Sequence, residues 1–144
     1  MLTWPDGSRE FVDHSRVGRI ATADAANAPH VVPVCYARLN DRLYWVVDAK
    51  PKRNPLGLKR LRNIRENPRV AVVVDRYDDE WSQLAWVLMR GRAELVVQAD
   101  EYAQGLVGLR SRYIQYRTMT LEMETHPMVR IDVEQVTAWS FCET

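Results

Sequence analysis

Seven of the twenty lysines and arginines of this 144-residue chain fall within sixteen consecutive positions: Lys50, Lys52, Arg53, Lys59, Arg60, Arg62 and Arg65. No acidic residue interrupts them. The first three follow a β-branched run that ends at Asp48, on a segment punctuated by proline, and the other four lie on a stretch with helical spacing. Lysine and arginine provide charge-assisted donors for a phosphate, and the first turn of a helix adds free backbone N–H groups and a favourable dipole. Strand end, basic loop and basic helix, in that order, make a place where an anion can dock. The other reading is a solvated helix face balanced by Asp75, Asp78, Asp79 and Glu80. Clustering at a strand end favours the anion, because a merely solvated helix usually mixes signs.

Two further groups of residues are suited to a flat ligand. The run His30–Tyr36 carries Pro33 inside a strand, where the missing N–H marks an edge or a bulge against which a ring system can lie. Trp81 and Trp86 flank the acidic turn Asp78-Asp79-Glu80 and are suited to wall a pocket or to seal a subunit interface, core packing being the ordinary use of either one. Signatures of self-contained catalysis are missing. His14, His30 and His126 are scattered without metal-ligand spacing, the two cysteines Cys35 and Cys142 stand far apart, and there is neither a glycine-rich phosphate loop nor a nucleophile elbow. Chemistry in such a chain falls to a bound cofactor.

The elements that must position these residues are mostly strands. Branched and aromatic runs bounded by turn residues predict six of them, over 17–23, 31–39, 42–48, 69–75, 84–97 and 128–139. Asn40-Asp41 is a two-residue hairpin connection, and Gly91 inside a long run predicts a bend or bulge where a sheet curls. One helix is predicted over 56–66, stopped by Pro68, and a second from Asp100 to about Arg117, where Tyr102, Leu106, Leu109, Tyr113 and Tyr116 form an apolar stripe weakened by Gly105 and Gly108. A short helical turn opening at Ser8 would bury Phe11 and Val12.

Length suits one domain spanning 1–144, too small for a deep cleft between lobes, so a large ligand calls for a second subunit. A net charge of +1 is far from the balance of a dedicated nucleic-acid binder, and aromatics are not interleaved with the cations as base stacking requires. No apolar run approaches a membrane span, and the charged N-terminal residues Asp6, Arg9, Glu10 and Asp13 point to a cytoplasmic protein.

These pieces, in this order, resemble the pyridoxamine 5'-phosphate oxidase-like split-barrel superfamily, and within it the flavin/deazaflavin oxidoreductase branch associated with coenzyme F420. The resemblance rests on Arg16-Val-Gly-Arg-Ile-Ala-Thr22, Pro29-His-Val-Val-Pro-Val34, Leu43-Tyr-Trp-Val-Val-Asp48, Lys50-Pro-Lys-Arg53 with Leu61-Arg-Asn-Ile64, Asn67-Pro-Arg-Val70 and Val74-Asp-Arg-Tyr-Asp-Asp-Glu-Trp-Ser82. It covers roughly residues 10 to 97, with Ile131-Asp-Val-Glu134 similar to the family's closing strand.

The resemblance implies a mainly β fold, a six-stranded antiparallel Greek-key split barrel with two or three peripheral helices, homodimeric, with cofactor sites at the subunit interface. It places Val32, Pro33 and Val34 near the ring system and Val46, Val47 and Asp48 along the ring and ribityl chain. Lys52, Arg53 and Lys59 would hold the phosphate with Lys50 beside them, and Trp81 and Trp86 would reach across from the partner. FMN presents one phosphate, which two or three cations satisfy; coenzyme F420 adds a phosphodiester and a string of carboxylates that can use the remaining cations. The expected activity is hydride transfer between the deazaflavin C5 and an electron-poor small molecule. An FMN enzyme of the same fold and a non-catalytic flavin or tetrapyrrole binder are the alternatives. No catalytic side chain is assigned, and no nucleic-acid, membrane or metal partner is expected.

Overall fold

Seven strands form one antiparallel sheet: β1 (Gly18–Ala23), β2 (Pro29–Val34), β3 (Ala37–Leu39), β4 (Arg42–Val46), β5 (Arg69–Arg76), β6 (Ala85–Leu95) and β7 (Met128–Ser140). Among the described residues three α-helices accompany them: α1 (Ser8–His14), α2 (Lys59–Glu66) and α3 (Ala99–Arg112). The computed structural model describes residues 2–48 and 58–143. Strand order across the sheet is β2-β1-β5-β6-β7-β4-β3, so two strands consecutive in sequence, β2 and β3, lie at opposite edges. Only Cys35 and Tyr36 join them. Three Cα–Cα steps span at most roughly 11 Å, so the sheet must curl until its edges meet, which makes it a barrel split along that seam.

The seam corrects the expected six strands to seven. The run 31–39 was expected as one strand, but both backbone groups of Tyr36 are taken by side chains. Its N–H donates to the Tyr113 hydroxyl at 3.2 Å, and its carbonyl accepts from Arg112 Nε at 2.7 Å. With no group left for a ladder, the strand breaks there. The Tyr36 ring turns inward, 1% exposed, and its hydroxyl donates to the Val12 carbonyl at 2.5 Å.

Alternation along each strand sends one set of side chains into the barrel and the other outward. Ile20, Leu43, Trp45, Val72, Met89 and Ile131 fill the interior, and each fully buried aliphatic side chain contributes about 1.5–3 kcal/mol. α1 closes one end with Val12, and α2 closes the other with Leu61 and Ile64. Outside, α3 covers β3 and β4: Tyr102, Leu106 and Leu109 pack on Ala37, Tyr44, Val46 and Met128. Gly105 permits this approach, since a Cβ there would fall 2.4 Å from Met128 Sδ. A network of Tyr44, Arg130 and Glu101 fastens the helix: the Tyr44 hydroxyl donates to Glu101 at 2.7 Å, and Arg130 Nη1 donates to the same carboxylate at 3.1 Å.

The predicted second helix is shorter than its stripe. It stops at Arg112, because Tyr113 adopts an extended backbone (φ −123°) that lets its hydroxyl donate to the Arg16 carbonyl at 2.9 Å. A 3-10 turn over Ile114–Thr118 then returns Tyr116 to the buried cluster. The turn at Ser8 is a full helix, α1, that buries Val12 completely and Phe11 in part. Pro33 lies on an edge strand, and Asn40 takes the left-handed conformation (φ 57°) in the β3–β4 hairpin, both as their types predict. Among the described residues no helix is long and apolar enough to cross a membrane.

Gly91 marks the sharpest constraint. The β6–β7 register shifts between Arg90 and Gly91, and a Cβ on Gly91 would stand 2.1 Å from the Asp132 carbonyl oxygen. Backbone cannot yield as a flexible side chain does. Gly91→Ala should therefore destabilise the fold by more than about 2 kcal/mol, read as a lower denaturation midpoint at unchanged slope; a midpoint equal to that of the native chain would contradict the close approach.

Candidate functional site

The strand β4 and the helix α2 meet at one end of the barrel, where Arg60 of the helix lies over Trp45 of the strand, and of the charged residues expected at the cofactor Asp48 and Lys59 stand at this end. Asp48, exposed just beyond β4, accepts a hydrogen bond from the Tyr116 hydroxyl at 2.5 Å. Burial, then the hydrogen bond to Asp48, pushes the Tyr116 hydroxyl far above the usual tyrosine range, so it remains a donor. Cys35, at the seam, faces the same group, and burial followed by the Asp48 charge pushes its thiol up. A thiol so placed stays protonated and unreactive.

On α2, Lys59 reaches Asp24 with Nζ 3.5 Å from Oδ2. Asp24 is held below the usual carboxylate range first by the N–H of Ala28, and also by that of Ala26 and by Lys59. Arg60 behaves differently from its neighbours. Its guanidinium lies over the Trp45 ring, 5.1 Å from the centroid, and burial lowers its pKa against the opposing attraction of Asp48. Arg60 Nε and Trp45 Nε1 are both buried, and neither has an acceptor among the described residues. Asn63 Oδ1, under the same helix, also lacks a partner among the described residues, while its amide donates to Thr22 at 3.0 Å. An unmet buried polar group costs about 1–3 kcal/mol. Unsatisfied N–H donors beside a desolvated cation are the chemistry that accepts a phosphate or carboxylate, so the residues present fit an anionic cofactor.

The remaining expected site residues are distributed as follows. Lys50, Lys52 and Arg53 lie outside the described residues. Val32 and Val34 are half-buried against the barrel interior, with Pro33 exposed between them beside Arg19. Val46 points beneath α3 and Val47 into the barrel, so the side chains of both serve the cores. Trp81 is 67% exposed on a 3-10 turn, and Trp86 stacks on Trp139 with centroids 6.4 Å apart. Both tryptophans stand at the far end of the β5–β6 pair, roughly 20 Å from the α2 end. Within one chain, the basic helix and the tryptophans are therefore not brought together.

Sequence places Arg60 only among the seven clustered cations, Tyr116 only in the helical stripe and Trp45 only within the Leu43–Asp48 motif, and assigns none of the three to the site. A signal for Arg60 was available: it directly precedes Leu61 and stands four positions before Ile64, on the core-facing side of the helix.

A family model described as Pyridoxamine 5'-phosphate oxidase matches residues 5–140. No curated protein matches the chain. Among solved structures, an FAD-binding protein from Mesorhizobium loti is 26% identical, with 90% of this chain and 89% of that one covered and a TM-score of 0.67. A structure named as an F420 reductase is 19% identical over 93% and 98% of the two chains, TM-score 0.66. The heme storage protein of Vibrio cholerae is 16% identical over 92% and 90%, TM-score 0.69.

Replacing Arg60 separates stability from binding. Exchanging a desolvated charge for an apolar side chain of similar length is often neutral or stabilising. Arg60→Met should leave the ligand-free protein as stable as the native chain or more so, and weaken binding of an anionic flavin-type cofactor at least about tenfold. Denaturant melts and fluorescence titrations read the two effects; undiminished affinity would remove Arg60 from the site.

Proposed function

The chain belongs to the pyridoxamine 5'-phosphate oxidase family, and from that premise we propose that it is a coenzyme F420-dependent oxidoreductase acting on an electron-poor small molecule, working as a cytoplasmic homodimer. The observation that carries this reading is the α2 end of the barrel, where Lys59 and the half-buried Arg60, whose Nε–H has no acceptor among the described residues, stand beside a strand end. The seven cations counted in the sequence between positions 50 and 65 exceed what a single phosphate needs and suit a ligand with a phosphodiester and a carboxylate tail.

Bound there, the deazaflavin supplies or accepts a hydride at its C5. The chain's own residues bind, orient and exclude water. Lys59 and Arg60, with the lysines and arginine of 50–53, hold the anionic end. Asp48, its carboxylate fixed by the Tyr116 hydroxyl, accepts from the hydroxyls of the ribityl chain. Pro33 and the branched residues beside it support the ring. The protein's share of the rate is orientation and electrostatic preorganisation.

FMN in the same place is the second reading, favoured by the likeness to an FAD-binding protein. A binder without turnover is the third, supported by two facts. The Tyr116 hydroxyl is already committed to Asp48, and a heme storage protein shares the fold.

Parallel titration of the apoprotein with FMN and F420 separates the cofactors, and the reduced complex offered enones, quinones and biliverdin separates enzyme from binder. F420 should bind more tightly, and Lys59→Ala and Lys52→Ala should each lower its affinity at least about fivefold. Affinity unchanged in both variants would place the anion elsewhere, and binding without acceptor-dependent oxidation would make the protein a carrier.

A further inference from the structure

The turn between β1 and β2, residues 24–28, fixes one carboxylate beside the cations of α2. Asp24 Oδ1 accepts from the N–H groups of Ala26 and Ala28, each at 2.9 Å. Backbone bonds close the same turn: the Asn27 N–H donates to the Asp24 carbonyl at 3.0 Å, and the Asp24 N–H to that of Ala28 at 3.3 Å. Asn27 supplies the left-handed residue, φ 64°. A turn of this kind uses one side-chain oxygen and has no need of its charge, since asparagine and serine form it too. The other oxygen, Oδ2, faces Lys59 Nζ at 3.5 Å.

Lys59 opens α2, whose first turn carries no acidic residue. Asp24 therefore supplies from a neighbouring turn the negative charge that suits a helix N-terminus. The Ala28 N–H, with that of Ala26 and with Lys59, holds its carboxyl below the usual range, so the group stays ionised at neutral pH. Any phosphate held by Lys59 shares that ammonium with Asp24. An ammonium has donors enough for both, but the two anions then stand close. A phosphate oxygen accepting from Nζ at an ordinary charge-assisted distance lies roughly 6 Å or less from Oδ2. Repulsion at that separation grows in proportion to the charge the ligand brings. A phosphate diester brings a single charge and a monoester about two.

We propose that Asp24 is a specificity-determining residue of the anion site, held by the β1–β2 turn so that its carboxylate, seated on Lys59, admits a phosphate diester and selects against a phosphate monoester. This rests on the functional reading, in which Lys59 holds the phosphate, and deepens it: the cofactor with the diester is favoured by repulsion of its rival as well as by the number of cations. A lysine kept for a dianion gains nothing from a carboxylate on its own ammonium. One kept for a monoanion loses little to it.

Two flavins that differ only at the phosphate isolate the charge from every other contact: FMN and its monomethyl phosphate ester, each titrated into the apoprotein by flavin fluorescence. Asp24→Asn keeps the acceptor that the turn needs and removes the charge, and Asp24→Ser does so with a shorter side chain. In both variants FMN should gain more affinity than its ester. The ratio of their dissociation constants, FMN over ester, should fall on the order of fivefold, and by less in high salt. An unchanged ratio, an equal loss of affinity for both flavins, or an ester that binds neither native chain nor variant would each overturn the proposal. Lys59→Ala tells its failure from that of the reading beneath it. Weakened binding of both flavins in Lys59→Ala, with the ratio unmoved in Asp24→Asn, removes the specificity and leaves the anion site standing. Unchanged binding of both in Lys59→Ala places the anion elsewhere, and the role of Asp24 falls with it.

Discussion

Two residues set the geometry of the whole molecule. Cys35 and Tyr36 carry the chain from one edge of a seven-stranded sheet to the other, and that short tether forces the sheet to close on itself. Arg112 secures the closure. Its guanidinium donates to the carbonyls of Asp13, Ser15 and Tyr36 and lies against the rings of Tyr36 and Tyr113. One side chain from the end of α3 thus ties together the C-terminal end of α1, the seam and the rings of Tyr36 and Tyr113. Closure then fixes everything else: an interior to fill, two ends to plug with α1 and α2, and an outer surface of which α3 covers only part.

The same constraint explains where charge collects. A helix that plugs a barrel must point one face at an apolar interior, and on α2 that face includes Arg60 as well as Leu61 and Ile64. A half-buried guanidinium over Trp45 whose Nε–H has no acceptor among the described residues is a poor choice for stability. It is a good one for holding an anion, because a desolvated donor gains most from an acceptor. Tyr116 occupies one oxygen of the Asp48 carboxylate and fixes the orientation of the group as an acceptor.

Much of this was legible in the residues. Pro33 announced an edge strand, Gly91 a bulge, Asn40-Asp41 a hairpin, and the 102/106/109/113/116 stripe a helix packed on the sheet. What sequence left hidden depends on distant partners. The run from Val31 to Leu39 is uniformly strand-like, and it breaks only because Arg112 and Tyr113, some 76 and 77 positions away, capture the backbone of Tyr36. α3 stops short of its own stripe for the same reason. In the basic cluster Arg60 was one cation among seven, and its burial became visible only with Trp45 beneath it. The separation of Trp81 from Lys59 within one chain likewise follows from strand direction, which composition does not encode.

The central claim is that the buried donors under α2 await an anionic ligand, and nitrogen–proton NMR of the side-chain N–H groups reads it directly. On titration with F420, the Arg60 Nε–H resonance should shift strongly downfield and exchange more slowly with solvent, as a donor that gains a charged acceptor must. A saturating titration that moves other resonances and leaves that of Arg60 where it began would contradict the account.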